Sequence, residues 1–263
     1  MDILTDAIKT LKGSVENNIS LSAGCDLFSR YVTRSLAQSL TINKLTHHLI
    51  ANARLFVTRA KDSRKTIAKT ASMFIRDEST ILTHSYSRIV LRMFEDAMRR
   101  HVRFRVMVTE GKGGEETARK IREKGYEVAV IPNSAIGYAI SKVDMCFVGA
   151  EGIVENGGII NGLGTYQIAV LAKNARKPFY VVAETHKFVR IFPLNGHDLP
   201  IKQNIIDFKS ENEPVTKETI NDDYLQGNGH VDFTPPTCVS AIITESGVLT
   251  PGAVSEELIK IWF

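Results

Sequence analysis

The stretch STILTHSYSRIVLRMFEDAMRRHVRFRVMVTE, residues 79–110, decides the fold. It holds two short apolar runs, residues 81–82 and 104–108, which are typical of buried strands. Between them, apolar residues recur every three or four positions, as on one face of an amphipathic helix: Val90, Met93, Phe94, Ala97 and Met98. Strand, helix and strand in this order predict a βαβ unit, whose two strands lie parallel in one sheet.

The same alternation continues toward the C-terminus. Further apolar runs lie at residues 128–131, 145–148, 179–182 and 241–243. Before residue 79 no strand-like alternation occurs, and apolar residues such as Leu49, Ala53 and Phe56 recur at helical spacing. The sequence therefore predicts an α/β protein. We expect an N-terminal helical bundle over residues 1–78, followed by a Rossmann-like domain over residues 79–263 with a mostly parallel β-sheet flanked by helices.

A second stretch, VGAEGIVENGGIINGLGTY at residues 148–166, contains six glycines. It joins an apolar run to a helical segment and predicts a small anionic ligand site, because glycine admits a ligand close to the backbone and a helix N-terminus offers free N–H groups. Gly164 and Thr165 stand at that helix start. A tight structural turn fits the same composition. The stretch lacks the GxGxxG of dinucleotide sites, and the chain contains no GxxxxGK[ST] phosphate loop.

Polar side chains follow several of the predicted strands, at the edge of a parallel sheet where ligands bind. Glu110 follows the second strand, and Glu151 follows the fourth. If these strands are neighbours, the side chains face one pocket that suits a small phosphorylated molecule. The first strand contributes a run of hydroxyl and basic residues to this pocket: Thr83, His84, Ser85, Tyr86, Ser87 and Arg88.

Charge is distributed unevenly along the chain. The whole sequence has a formal net charge of +4, but residues 1–76 hold 12 Lys+Arg against 5 Asp+Glu, a net charge of +7. This excess predicts a basic face that attracts phosphate or an acidic protein. A solvated helix face and an RNA-binding surface are the two alternatives, although no RNA-binding motif is present. The candidate residues are Arg54, Arg59, Arg64, Lys65 and Lys69.

Composition excludes several classes of protein. No apolar run approaches the roughly 20 residues of a membrane span, and the N-terminus lacks a secretory signal, so we expect a cytoplasmic protein. Cys25, Cys146 and Cys238 lie far apart, and the histidines show no ligand spacing. We therefore expect neither a disulfide framework nor a metal site, and no cofactor beyond a phosphate or sugar-phosphate ligand.

Four segments carry a resemblance to a known family: ILTHSYSRIV, the glycine-rich stretch continued to Lys173, ARKPFYVVAETHKFVRIFPL and GVLTPGAVSEELIKIWF. They resemble the alpha subunits of eukaryotic translation initiation factor 2B, regulatory proteins that are similar to methylthioribose-1-phosphate and ribose-1,5-bisphosphate isomerases. Family members usually begin with a longer helical extension than residues 1–21 provide. They also have a longer turn where residues 110–116 stand, so the chain is expected to be shortened.

The resemblance implies a cleft that has lost catalysis. The isomerases have cysteine where this chain has Ser85, and aspartate where it has Glu151. A serine hydroxyl cannot exchange a proton near neutral pH without a dedicated base, and the longer glutamate moves its carboxylate by roughly 1 Å. The isomerases also have an Asn-Lys pair where Asn161 and Gly162 stand, so a cationic phosphate contact is missing. An active aldose-ketose isomerase that uses Glu151 as base remains the alternative.

The resemblance further implies a non-catalytic subunit of the exchange factor for translation initiation factor 2. Such subunits form a homodimer that joins the related beta and delta subunits. Their helical half helps to sense the phosphorylated alpha subunit of initiation factor 2 and thereby inhibits GDP/GTP exchange. The basic face is consistent with this partner, because a phosphoserine adds about −1.5 to −2 charge. No membrane and no direct nucleic-acid partner is expected.

Overall fold

The computed structural model describes residues 2–15, 17–36, 42–111, 113–201, 203, 205 and 230–262. Three helices come first: α1 (Asp2–Gly13), α2 (Ile19–Leu36) and α3 (Ile42–Ser72). None of the helices in these ranges is long and apolar enough to cross a bilayer. The later helices are α4 (Arg88–Arg99), α5 (Gly114–Arg122), the short α6 (Ile136–Ala139), α7 (Thr165–Asn174) and α8 (Val254–Trp262).

A seven-stranded sheet forms the centre of the fold, with the strand order β11-β10-β7-β4-β1-β2-β3. Neighbouring strands are parallel except β10 and β11, which are antiparallel. The predicted mostly parallel sheet flanked by helices is therefore confirmed. Its strands are β1 (Ser79–Thr83), β2 (Phe104–Thr109), β3 (Val128–Ile131), β4 (Met145–Val148), β7 (Phe179–Val182), β10 (Ala241–Thr244) and β11 (Gly247–Leu249).

The glycine-rich stretch differs from its prediction as a simple turn between a strand and a helix. It contains β5 (Gly152–Val154) and β6 (Ile159–Gly162), an antiparallel hairpin within a second sheet of order β8-β5-β6-β9. The other two strands are β8 (Phe188–Val189) and β9 (Val231–Thr234). The hairpin forms because each short strand carries buried branched residues, Ile153 and Val154 on one and Ile159 and Ile160 on the other.

Apolar side chains cover both faces of the large sheet. On one face, α7 and α8 pack against the strands through buried residues such as Ile168 and Leu258. On the other face, α3 and α4 contribute Ile67, Ala71 and Phe94 to a cluster that includes the strands. The C-terminal turns of α3 therefore share a core with the sheet. The division of the chain at residue 78 stays a prediction.

We expect Ile67→Ala to lower the free energy of unfolding by about 2–5 kcal/mol, because it leaves a cavity between α3 and the sheet. Ile67 has no exposed surface, whereas Leu55 on the same helix is 43% exposed. Leu55→Ala is thus the matched control, with an expected change below about 1 kcal/mol. Denaturant unfolding measures both. Equal small effects would show that α3 does not share the core.

Candidate functional site

A cavity of about 240 Å³ lies where the direction of the chain through the large sheet reverses. From β1 the chain continues to β2 and β3 on one side, and from β4 it continues to β7 and β10 on the other. The loops after β1 and β4 therefore diverge and leave a crevice at the carboxyl ends of the strands, which is where open α/β sheets bind ligands. The predicted residues His84, Glu151 and Asn161 line this cavity.

The loop between β1 and α4, with the first residue of that helix, brings four of the predicted residues to the cavity: Ser85, Tyr86, Ser87 and Arg88. Ser85 has a positive φ of 60°, a left-handed conformation that costs a non-glycine residue about 1 kcal/mol or more. The hydroxyl of Thr117 on α5 lies between two carbonyl acceptors, Ser85 O at 3.1 Å and Gly113 O at 2.9 Å, and so connects this bend to the start of α5. Ser87 caps α4, since its Oγ accepts the Val90 N–H at 3.4 Å.

Two glycines let the loops on either side of the crevice approach each other. A Cβ at Gly149 would lie 2.8 Å from the Ser87 hydroxyl, and one at Gly162 would lie 2.9 Å from the Ser85 hydroxyl. Any larger residue at position 162 forces the Ser85 side chain to rotate. Gly162 is therefore matched to the present conformation of Ser85.

His84 is buried beneath the cavity and connects three segments of chain. Its Nε2 lies 3.0 Å from the Leu163 carbonyl and its Nδ1 lies 2.5 Å from Thr109 Oγ1. Burial lowers the pKa of His84 below its ordinary value, so the ring is neutral at pH 7. Because a carbonyl only accepts, Nε2 carries the proton and Nδ1 accepts from the Thr109 hydroxyl. His84 thus adds no positive charge, and neither ring nitrogen is free for a ligand.

Glu151 contacts the N-terminal helices. Asn17 donates from Nδ2 to its carboxylate, and Ser20 Oγ donates to its backbone carbonyl at 2.6 Å. Ile19 is buried against the second sheet nearby. The start of α2 therefore packs against Glu151 without lining the cavity itself, and the Glu151 carboxylate already has an amide partner.

Glu184 and Lys187, neither of which was predicted from the sequence, also line the cavity. Glu184 is 2% exposed, and its carboxylate lies 3.1 Å from Arg64 Nε and 3.3 Å from Lys187 Nζ. Burial alone would raise the pKa of Glu184, but the charge of Lys187, a backbone hydrogen bond, the charge of His186 and the hydrogen bond from Lys187 together outweigh it and hold the pKa below its ordinary value. Lys187 also donates to the Ala150 carbonyl at 2.8 Å. The motif AETHK directly after β7 was the available signal.

Four predicted residues lie outside the cavity lining. Thr83 is buried in β1, and Glu110 is exposed beyond β2, where it accepts the Asn133 N–H at 3.2 Å. Thr165 is fully buried and donates to the Gly162 carbonyl at 2.7 Å. Gly164 stands before α7. The pocket thus receives its second carboxylate from Glu184 instead of Glu110, because β2 lies on the far side of β1 from β4.

The N-terminus of α7, where the sequence predicts a phosphate at Gly164 and Thr165, already has a carboxylate partner. The Asp232 carboxylate accepts the N–H groups of Gly164 at 2.7 Å and Tyr166 at 3.0 Å. These contacts occupy the donors that an anion needs. Asp232 comes from β9, 66 residues after Tyr166, so no local pattern announces the contact.

The five predicted basic residues do not form one group. Arg54, Arg59, Lys65 and Lys69 are exposed on α3. Lys65 pairs with Asp62 at 2.9 Å, an exposed ion pair of small energetic value. Arg64 differs, because its guanidinium reaches inward to Glu184. Arg64 therefore connects α3 to the wall of the cavity.

The charges and donors of the cavity determine its chemistry. Two carboxylates, Glu151 and Glu184, balance two cations, Arg88 and Lys187, and serine and tyrosine hydroxyls lie between them. Among the described residues, no carboxylate or imidazole is hydrogen-bonded to the Ser85 hydroxyl, and no group of three or more His, Cys, Asp or Glu side chains is placed to hold a metal. The arrangement favours a polyhydroxylated ligand with one anionic end.

Comparison with known proteins gives a consistent result. The profile of the Initiation factor 2 subunit family matches residues 1–251. A translation initiation factor eIF2B subunit alpha from Dictyostelium discoideum is 40% identical over 272 residues, covering 98% of this chain and 83% of that protein. A ribose 1,5-bisphosphate isomerase from Archaeoglobus fulgidus is 32% identical over 248 residues, covering 93% and 75%. The solved tetrameric eIF2B-beta2-delta2 complex from C. thermophilum has a TM-score of 0.71 at 16% identity, covering 98% of this chain and 79% of that chain, which supports the fold alone.

We expect Asp232→Asn to flatten the pH dependence of stability. Burial raises the pKa of Asp232 from 3.8 to about 7, so between these pH values the folded state binds more protons than the unfolded state. The free energy of unfolding therefore falls as the pH rises from about 4 to 7, by up to about 1.4 kcal/mol per pH unit from this group. Asparagine keeps an acceptor for the two N–H groups but does not titrate.

Denaturant unfolding at several pH values between 4 and 7 measures this effect. Asp26→Asn is the control, because Asp26 is 54% exposed and pairs with Lys12 on the surface. Parallel curves for the wild type and Asp232→Asn would contradict the assignment.

Proposed function

Because the chain belongs to the Initiation factor 2 subunit family, we propose that it is a non-catalytic regulatory subunit of the exchange factor for translation initiation factor 2, acting in the cytoplasm. The observation that carries the proposal is the 40% identity to an eIF2B subunit alpha over 98% of this chain. The proposed subunit forms a homodimer, joins the related beta and delta subunits, and helps to sense the phosphorylated alpha subunit of initiation factor 2.

The cavity supports a ligand-binding role without catalysis. An aldose-ketose isomerase needs a group that takes a proton from one carbon and a group that returns it to the next. Here the Ser85 hydroxyl has no base hydrogen-bonded to it among the described residues, and both ring nitrogens of His84 are engaged. The Glu151 carboxylate is held by Asn17. These contacts favour a bound sugar phosphate that stabilises the fold.

The second candidate function is an active sugar-phosphate isomerase. It is favoured by the 32% identity to a ribose 1,5-bisphosphate isomerase and by the presence of a carboxylate at Glu151. Sequences similar to this chain therefore include both eIF2B alpha subunits and isomerases. Ligand binding and turnover separate the two candidates when both are measured on the same pure protein.

We expect ribose 5-phosphate to raise the melting temperature of the wild type by about 5 °C or more at 100 times its dissociation constant. Arg88→Gln removes an exposed cation at the cavity and should abolish most of this shift, while Arg99→Gln on the same helix should leave it intact. No conversion to the ketose is expected. Turnover at about 1 s⁻¹ or faster would establish the isomerase, and no thermal shift would reject the ligand.

The regulatory role predicts that the phosphorylated alpha subunit inhibits GDP/GTP exchange only when this chain is present with the beta and delta subunits. We expect Arg54→Glu/Arg59→Glu to raise the concentration needed for inhibition by about tenfold, because each reversal replaces an attraction to the phosphorylated surface by a repulsion. The control Arg99→Glu/Arg105→Glu makes the same change in net charge outside α3, on α4 and β2. Equal inhibition of the complexes that contain the wild type, Arg54→Glu/Arg59→Glu and Arg99→Glu/Arg105→Glu would argue against the basic face.

A further inference from the structure

A second concave surface lies on the other side of the loop between β1 and α4. It is an open cleft of about 560 Å³ between α3, α4 and α5, more than twice the volume of the cavity described above. We call it the basic cleft, because among the described residues seven cationic side chains line it, against two carboxylates, Glu95 and Glu123. The cavity, in contrast, has balanced charges. The basic cleft is therefore the stronger site for an anion.

Four of the seven cations are already paired. Arg64 contacts Glu184, and Lys120 pairs with Glu116 at 2.8 Å and donates to the Tyr86 hydroxyl at 2.7 Å. Lys65 contacts Asp62 at 2.9 Å, and Lys124 lies 3.4 Å from Glu95. These pairs partly neutralise four of the cations and leave the remaining three to a ligand.

The other three cations are free within the described part of the chain. Lys61 is on α3, and Arg88 and Arg92 are on successive turns of α4, four residues apart and on one face of the helix. The Nε of Arg92 is buried and has no hydrogen-bond partner there. An unpaired buried donor is costly, so a ligand acceptor at this position stabilises the protein. A guanidinium fork matches the geometry of a phosphate.

Apolar side chains form the rest of the surface. Leu91 and Met98, both partly exposed, contribute apolar surface beside the free cations, whereas Phe94 and Ile121 border the cleft from the core and are at most 1% exposed. An isolated phosphate ion contacts only the cations and leaves this apolar surface exposed to solvent. A peptide segment that carries a phosphoserine next to apolar residues occupies both parts, because the phosphate reaches the cations and its neighbours cover the apolar surface.

We infer that the basic cleft binds a phosphorylated peptide segment of a partner protein, with Lys61 and Arg92 as the principal phosphate contacts. This inference rests on the proposed recognition of the phosphorylated alpha subunit of initiation factor 2 and gives that recognition a location. The location differs from the face of α3 identified from sequence, of which only Arg64 and Lys65 border the basic cleft.

The test measures binding of the phosphorylated and unphosphorylated alpha subunit to the full chain by calorimetry. We expect Lys61→Gln/Arg92→Gln to weaken binding of the phosphorylated form by about tenfold or more and to leave the unphosphorylated form unchanged, since each charge-assisted hydrogen bond contributes about a factor of ten. The control Arg99→Gln/Arg105→Gln removes the same charge from exposed, ion-paired positions outside the basic cleft. Circular dichroism verifies folding of both variants.

The possible outcomes distinguish the inference about the basic cleft from the proposed function on which it rests. Preference of the wild type for the phosphorylated form, lost only in the Lys61/Arg92 variant, supports the basic cleft. The same preference retained in that variant overturns the inference but leaves the proposed function standing. If the wild type shows no preference for the phosphorylated form, both the inference and the proposed function are rejected. Displacement of the phosphorylated partner by equimolar ribose 5-phosphate, with the same sensitivity to the variant, overturns the assignment to a peptide in favour of a small phosphate ester.

Discussion

The reversal of strand order between β1 and β4 is the constraint on which the candidate site depends. Parallel strands deliver their carboxyl ends to one edge of the sheet, and only at this position do the following loops diverge instead of covering each other. The crevice receives side chains from the loops after β1 and β4 and after β7. The second sheet closes it by placing Asn161 and Gly162 opposite. A cavity at this edge is therefore a property of the topology, whereas its chemistry comes from the side chains.

A neutral histidine is the central element of that chemistry. His84 ties the end of β1 to the end of β2 through Thr109 and to the start of α7 through Leu163. This function requires the uncharged ring, which burial ensures. The same contacts withdraw both nitrogens from proton transfer. A residue that could have served as an acid or base next to Ser85 thus serves to hold three segments together.

The sequence predicted what depends on local periodicity. Every strand of the large sheet except β11 coincides with an apolar run, and α4 has its apolar face where the spacing of Val90, Met93 and Ala97 placed it. The hairpin of β5 and β6 was missed because its strands are only three and four residues long and are separated by glycines, so composition indicated a turn. The cap of α7 by Asp232 and the position of Glu184 depend on contacts between distant parts of the chain, which no local pattern records.

The cavity and the basic cleft share one boundary. The charges on either side of it differ because different elements supply the side chains that line the two surfaces. Arg88 and Tyr86 border both. On the cavity side, the carboxylates of Glu151 and Glu184 offset the cations, so hydroxyl groups dominate recognition. On the cleft side, α3 and α4 contribute Lys61 and Arg92, and no carboxylate in the described part of the chain is paired with either. Arg64 joins the two, since it borders the basic cleft while its Nε lies 3.1 Å from the buried Glu184. Through this contact, a side chain of α3 that borders the basic cleft also contacts a side chain that lines the cavity.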